Sequence, residues 1–86
     1  MDPTIEQSFY LATQKVAKYY DSIDNDTLLK LYGLYKQGTI GLNTNPQPER
    51  ISLRALAKWN SWNNEKNKSK ITAMKEYIDL VKILIL

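Results

Sequence analysis

The stretch Leu31-Tyr32-Gly33-Leu34-Tyr35-Lys36-Gln37 decides how the rest of the chain is read. Wound as a helix, at about 100° per residue, it joins the two leucines before it and places Leu28, Leu29, Leu31, Tyr32, Tyr35 and Lys36 on one broad arc. That arc begins apolar and ends in two phenols and a cation. Two uses fit it. It is either a core stripe whose lysine reaches back to water along its methylenes, or a ligand face. A ligand face of this kind offers aromatic platforms for a flat ring, a cation for a phosphate and an apolar floor leading away from both.

Working outward, the spacing predicts a helix from about residue 26 to about residue 39, with Asp24 or Asn25 as its N-cap. Gly33 lies inside it at some cost relative to alanine and permits close approach of a neighbour. Gly38 and Gly41 are expected to mark its end. Upstream, Pro3 suits a helix start, and Ile5, Phe9, Ala12, Val16 and Tyr19 form one apolar stripe over about residues 4–20. The polar break 21–26 follows it. Downstream, the two prolines of residues 41–51 make that segment the one long loop. Ser52 is the expected N-cap of a third helix at about 52–65, carrying Leu53, Leu56, Trp59 and Trp62. Both tryptophans are expected in the core, each with a partner for its N–H. A basic connector, 64–70, leads to a fourth helix capped by Ser69, with Ile71, Met74, Tyr77, Ile78, Val81 and Leu84 at helical spacing. Phe9, Val16, Ile78, Val81 and Leu84 are expected to form the seam between the terminal helices. The apolar end, Leu80 to Leu86, either packs on the first helix or exposes a sticky tail.

Composition narrows the chemistry. Eighty-six residues with 43% hydrophobic and 24% charged side chains make one small domain, residues 1–86. There is no cysteine and no histidine. Disulfides, thiolate chemistry, Ser-His-Asp and Cys-His arrangements and the commonest metal ligand are therefore excluded. The net charge of +3 is unevenly placed, with five acids and two bases in residues 1–26 against four acids and ten bases in 27–86. A basic region of this kind suits an anionic partner. Met1-Asp2-Pro3-Thr4 has no basic start leading into an apolar core, and no apolar run approaches a membrane span, so a cytoplasmic protein is expected.

Three ordered blocks resemble the acyl-CoA-binding protein family, also called the diazepam-binding inhibitor family. Tyr32-Gly33-Leu34-Tyr35-Lys36-Gln37-Gly38-Thr39-Ile40-Gly41 is similar to the family's Y-x-x-Y-K-Q-A-T-x-G. Ala57-Lys58-Trp59-Asn60-Ser61-Trp62 is similar to its A-K-W-x-A-W. Ser69-Lys70 followed by Ala73-Met74-Lys75-Glu76-Tyr77-Ile78 is similar to its S-K-x-x-A-M-x-x-Y-I. The resemblance covers nearly the whole chain without a gap. It implies an all-α fold, a skewed, bowl-like up-down-down-up bundle of four helices. It also implies one-to-one binding of medium- to long-chain fatty acyl-CoA esters by an intracellular carrier and pool former that performs no chemistry. Position by position, it puts Tyr32, Tyr35 and Lys36 on the ligand's adenine and 3′-phosphate, with Gly33 and Leu34 in the same binding stretch. Lys58 joins the phosphate grip, Tyr77 completes the site, and Leu28 and Leu29 line an apolar groove. Ala17 stands where many members carry a basic residue near the ligand head; its neighbour Lys18 points about 100° away. Leu42, Gly38, Thr13 and the apolar C-terminus are further departures. No cofactor and no metal are implied. The expected partners are acyl-CoA-using enzymes and membranes, met transiently by a monomer.

Other readings of the same residues stand beside this one. Without the family pattern, Tyr77 is equally a packing residue and Lys58 a solvated surface lysine. A small helical protein-interaction module that kept the fold and lost or altered ligand binding is the alternative. Nucleic-acid binding is disfavoured because the bases are spread rather than striped and no helix-turn-helix pattern is present. An enzyme is disfavoured because the usual nucleophile and base sets are missing.

Overall fold

The computed structural model describes residues 3–49 and 52–84. Four helices form where the apolar spacing predicts them: α1 (Ile5–Lys18), α2 (Asn25–Thr39), α3 (Leu53–Asn63) and α4 (Lys70–Leu84), with a 3-10 turn at Tyr20–Ser22. Each start has a side chain that accepts from a free backbone N–H. Thr4 and Gln7 make a reciprocal capping box, with Thr4 Oγ1 accepting from the Gln7 N–H at 3.1 Å and Gln7 Oε1 from the Thr4 N–H at 2.9 Å. Asp24 accepts from the Thr27 N–H at 3.2 Å and from its hydroxyl at 2.6 Å. Ser52 and Ser69 accept from the Ala55 and Thr72 N–H groups at 3.2 and 3.1 Å.

The helices lie in a row. α1 packs chiefly on α4, α4 on α2, and α2 on α3, and the molecule is only 15 Å thick along its shortest axis against 47 Å along its longest. Contacts between named residues give the directions. Phe9 of α1 stacks on Tyr35 of α2, and the short connection 19–24 turns the chain back at the other end, so α1 and α2 are antiparallel. Tyr35 lies near Tyr77, and Gly38 near Met74 and Lys70, so α2 and α4 are antiparallel. Lys58 sits on Tyr32, and Lys36 on Trp62, so α2 and α3 are parallel. This is the up-down-down-up order. To start α3 parallel to α2, the chain must return the roughly 22 Å length of α2. The 40–52 connection spans that distance easily at up to about 3.3 Å per residue.

The loop is held to α3 by both tryptophans. Trp62 donates its indole N–H to the Gly41 carbonyl at 2.8 Å, and Trp59 donates to the Asn45 carbonyl at 2.9 Å. Gly41 takes a φ of 96°, a conformation that glycine adopts without strain. The main core comprises Phe9, Ala12, Leu31, Leu34, Ala73, Tyr77 and Val81, with Val16 and Ile78 packed against it.

Several expectations change. Trp59 is half-buried rather than core, because its ring lies under the loop instead of between helices. Leu84, assigned to the seam, is 38% exposed, and Tyr19, assigned to the α1 stripe, is the exposed C-cap of α1. Gly38 lies in the last turn of α2, one residue before its end at Thr39, and is also buried against Met74; Gly41 lies past the end. Leu53 opens α3 but is exposed. Ile85 and Leu86 of the apolar tail, and Arg50 and Ile51 of the loop, lie outside the described residues.

The α3–α4 connector contains an ion network centred on Glu65, which is 2% exposed. Its carboxylate accepts from Lys30 of α2 and, at 2.9 Å, from Lys68, which also bonds Glu76 of α4 at 2.8 Å. Burial pushes the Glu65 carboxyl up, but the hydrogen bonds and charges of Lys30 and Lys68 outweigh it and leave the group below its ordinary value. Gln37 of α2 holds the same connector, donating Nε2–H to the Lys68 carbonyl at 2.8 Å.

Two outcomes follow from this packing. Gly33 lies so close to α3 that a β-carbon would stand 2.7 Å from the Ser61 carbonyl carbon. Gly33→Ala is therefore expected to lower stability by about 1–3 kcal/mol through overpacking, measured as a lower urea midpoint. Glu65→Ala is expected to cost about 2 kcal/mol at neutral pH, the size of charge-assisted hydrogen bonds. Because the folded carboxyl is the more acidic, that contribution is complete above the unfolded value and is lost as pH falls through the folded one. Urea midpoints of Glu65→Ala and the parent chain should accordingly converge in acid; a constant gap would contradict the ion-network account.

Candidate functional site

The row of helices encloses a hollow. Here it is a cavity of about 660 Å³ between the α1 and α3 edges, within the usual range for small-molecule sites. Its floor is α2, through Leu28, Leu29, Leu31, Tyr32 and Tyr35, joined by Tyr77 of α4. Val16, Tyr20 and Asn25 line one side; Leu53, Arg54, Ala57 and Lys58 line the other. Among the described residues no carboxylate lines it.

The cavity is chemically graded because α2 and α3 run parallel along it. At the N-terminal end of both helices stand leucines 28, 29 and 53. One to two turns on stand the phenols Tyr32 and Tyr35 and the Lys58 cation. Lys58 Nζ is 5.2 Å from the centre of the Tyr32 ring, and Lys36 Nζ is 4.9 Å from that of Trp62. Tyr32 and Lys36, like Lys58 and Trp62, are four residues apart, so these cation–ring contacts are successive rungs of one helix–helix interface. Arg54 is one turn before Lys58 on the same face.

The phenols differ in setting. Tyr77 is 4% exposed and meets Phe9 edge-on at 5.0 Å between ring centres. Burial, with the Tyr35 phenol close by, pushes Tyr77 up to about 12. At ordinary pH it is therefore a neutral donor and does not repel a phosphate. Tyr35 stacks on Phe9 at 5.9 Å and keeps 42% of its surface open. Packing and cavity lining, set as alternatives for Tyr77 on spacing alone, are both its roles.

The structure thus brings together Tyr32, Tyr35, Lys58, Tyr77, Leu28 and Leu29. It does not bring in the others. Gly33 and Leu34 face neighbouring helices, Gly33 against Ser61 and Leu34 in the core at 1% exposure. Lys36 lies beyond the cavity on Trp62. Ala17 is exposed outside the lining, and the Lys18 ammonium sits 5.4 Å from the Tyr19 ring centre. Arg54 and Tyr20 were missed by sequence reasoning. Arg54 had a signal, since it precedes Lys58 by one helical turn; Tyr20 lies past the end of α1, where periodicity is silent. Among the described residues no cluster of acidic side chains could hold a metal, and no helix is long and apolar enough to cross a membrane.

Comparison with known proteins agrees with this geometry. The family model described as acyl CoA binding protein matches residues 6–81. The chain is 45% identical over 78 residues to acyl-CoA-binding protein homolog 1 of Caenorhabditis elegans, covering 91% of each chain. It is 40% identical over 81 residues to the acyl-CoA-binding protein of Saccharomyces cerevisiae, covering 94% of this chain and 93% of that one. The crystal structure of Oryza sativa acyl-CoA-binding protein 2 superposes with a TM-score of 0.91 at 38% identity, covering 95% of this chain and 91% of that one. With a family match over most of its length and the four-helix arrangement in common, this chain belongs to the acyl-CoA-binding protein family.

Proposed function

We infer that this protein binds medium- to long-chain fatty acyl-CoA esters one-to-one, as a monomeric carrier that holds them in the cytoplasm for enzymes and membranes. The observation that carries this reading is the make-up of the cavity, a leucine floor at the start of α2, phenols one to two turns on and a cationic α3 edge of Arg54 and Lys58, in a member of this family. An acyl-CoA has the same division, with phosphates and a purine at one end and an alkyl chain at the other.

The site's parts have matching tasks. Lys58 and Arg54 meet the phosphates from the α3 edge, and Lys36 extends the cationic edge by one turn; charge-assisted bonds of this kind are the strong ones. Tyr32 and Tyr35 offer ring faces to adenine, and Tyr77 offers a neutral hydroxyl. Leu28 and Leu29 take the alkyl chain, at about 0.8 kcal/mol per buried methylene, or roughly fourfold in affinity. The reading is of a carrier rather than a catalyst, since among the described residues no nucleophile paired with a base lines the cavity. The ligand is cargo, and the chemistry requires no cofactor.

Isothermal titration with palmitoyl-CoA, against free CoA and palmitate, tests this. One-to-one binding of the ester is expected, with far weaker binding of either half. Lys58→Ala should weaken the ester about thirtyfold, from the loss of about 2 kcal/mol. Tyr32→Ala should weaken it about tenfold, the scale of one lost base–aromatic stack; helical content should stay intact in both. Failure of the folded protein to bind the ester would sink the carrier reading and leave an interaction module on the same fold.

A further inference from the structure

Neither the cavity nor the ion network uses the surface where α2 ends. Ile40 and Leu42 stand there on either side of Gly41, 53% and 59% exposed. The backbone that carries them is fixed. The Ile40 and Gly41 N–H groups donate to the Lys36 carbonyl at 2.8 and 3.2 Å, and the Gly41 carbonyl accepts the Trp62 indole N–H at 2.8 Å. Single exposed apolar side chains are ordinary on a protein surface. Two on one anchored ridge form a feature that a partner gains by covering.

The ridge lies among cations. A β-carbon on Gly41 would stand 3.2 Å from Lys70 Cε, so the stem of Lys70 lies against Gly41. Lys36 is one helical turn before Ile40, with its Nζ over the Trp62 ring, and Lys66 is exposed four residues after Trp62. Among the described residues none of these three lysines has an ion-pair partner. The acids of this region are engaged or elsewhere. Glu65 and Glu76 bond Lys68, the first turn of α4 carries no acid, and Glu6 lines a separate surface hollow with Tyr10 and Leu11.

Charge and shape together select what covers the ridge. A second copy paired by a two-fold axis would set these lysines against themselves, which like charge opposes. A fluid headgroup layer would meet the lysines but has no fixed side chains to seat on the ridge. A helix with leucines among its carboxylates has both. We propose that the Ile40–Gly41–Leu42 ridge, with Lys36, Lys66 and Lys70, is a docking surface for an acidic amphipathic helix of another protein. Its leucines cover Ile40 and Leu42, and its carboxylates meet the lysines around them. The area is small, so the encounter is weak and brief. None of these residues lines the cavity, so the proposal stands apart from the acyl-CoA reading.

The test is amide NMR of the isotope-labelled full chain, titrated with a synthetic peptide of leucines at helical spacing among glutamates. A control peptide has lysines in place of the glutamates. The acidic peptide should shift the amides at and beside residues 36, 40–42, 66 and 70, with a Kd of about 0.1–1 mM. Leu42→Asp and Lys70→Glu should each weaken it about tenfold, as should salt at about 0.5 M. Both variants change exposed positions, so their circular dichroism and their affinity for palmitoyl-CoA should match the parent's. Equal shifts with the basic peptide, shifts centred elsewhere, or none at about 2 mM acidic peptide would overturn the proposal. So would phosphatidylserine vesicles that engage these residues when the peptide does not, which would give the surface to a membrane. Concentration-dependent shifts of the ridge in the protein alone would overturn it in favour of a second copy. If the peptide docks on the ridge while palmitoyl-CoA fails to bind, the carrier reading falls and this one stands.

Discussion

The site depends on the approach of α2 to α3 at Gly33. With no side chain there, the helix backbone reaches the Ser61 carbonyl region, where a β-carbon would not fit. Two parallel helices held this close have their rungs in register, so Tyr32 meets Lys58 and Lys36 meets Trp62. Widening the approach would separate each ring from its cation and open the cavity on its charged side. Gly33 therefore acts on the site without lining it, which explains why a binding-type stretch contains a glycine at an interior helical position that costs stability.

That crossing must be held from outside, because the sheet-like row of helices is thin and its core small. Two devices hold the connections. The indoles of Trp59 and Trp62 bond carbonyls of the first part of the long loop and hold it, just past the end of α2, against the C-terminal half of α3. Glu65 ties α2 to the α3–α4 connector through Lys30 and Lys68, and Lys68 extends the tie to Glu76 of α4. A buried carboxylate with two cations is costly to desolvate, and its worth lies as much in specifying one arrangement as in raw stability. The network also consumes two lysines of the basic region, Lys30 and Lys68, whereas Arg54 and Lys58 line the cavity.

The helices and their starts were legible because they are local. Asp24, Ser52 and Ser69 sit where a side-chain oxygen can reach an N–H within the next three residues, and apolar spacing depends only on helical pitch. The residues named for the site were legible in part. Tyr32, Tyr35, Lys58 and Tyr77 do meet at one cavity, but Lys36, Gly33 and Leu34 share the motif without sharing the lining. Glu65 read as one charge in a polar connector, and nothing in its neighbours announced burial. Trp59 and Trp62, alike on the page, part company because only one of them points between helices.

The amino-acid sequence by itself determined which residues share a helix face, where each helix starts, and that cations and phenols outnumber acids in the motif blocks; these follow from rotation per residue and from side-chain chemistry. Tertiary structure alone decided which faces meet. It turned the long loop into a return path that makes α2 and α3 parallel, put Tyr20 and Arg54 on opposite rims of one cavity, and left one rim charged and the other neutral. Such pairings join residues tens of positions apart. They are set by helix crossing and close packing, which no spacing within a single helix records.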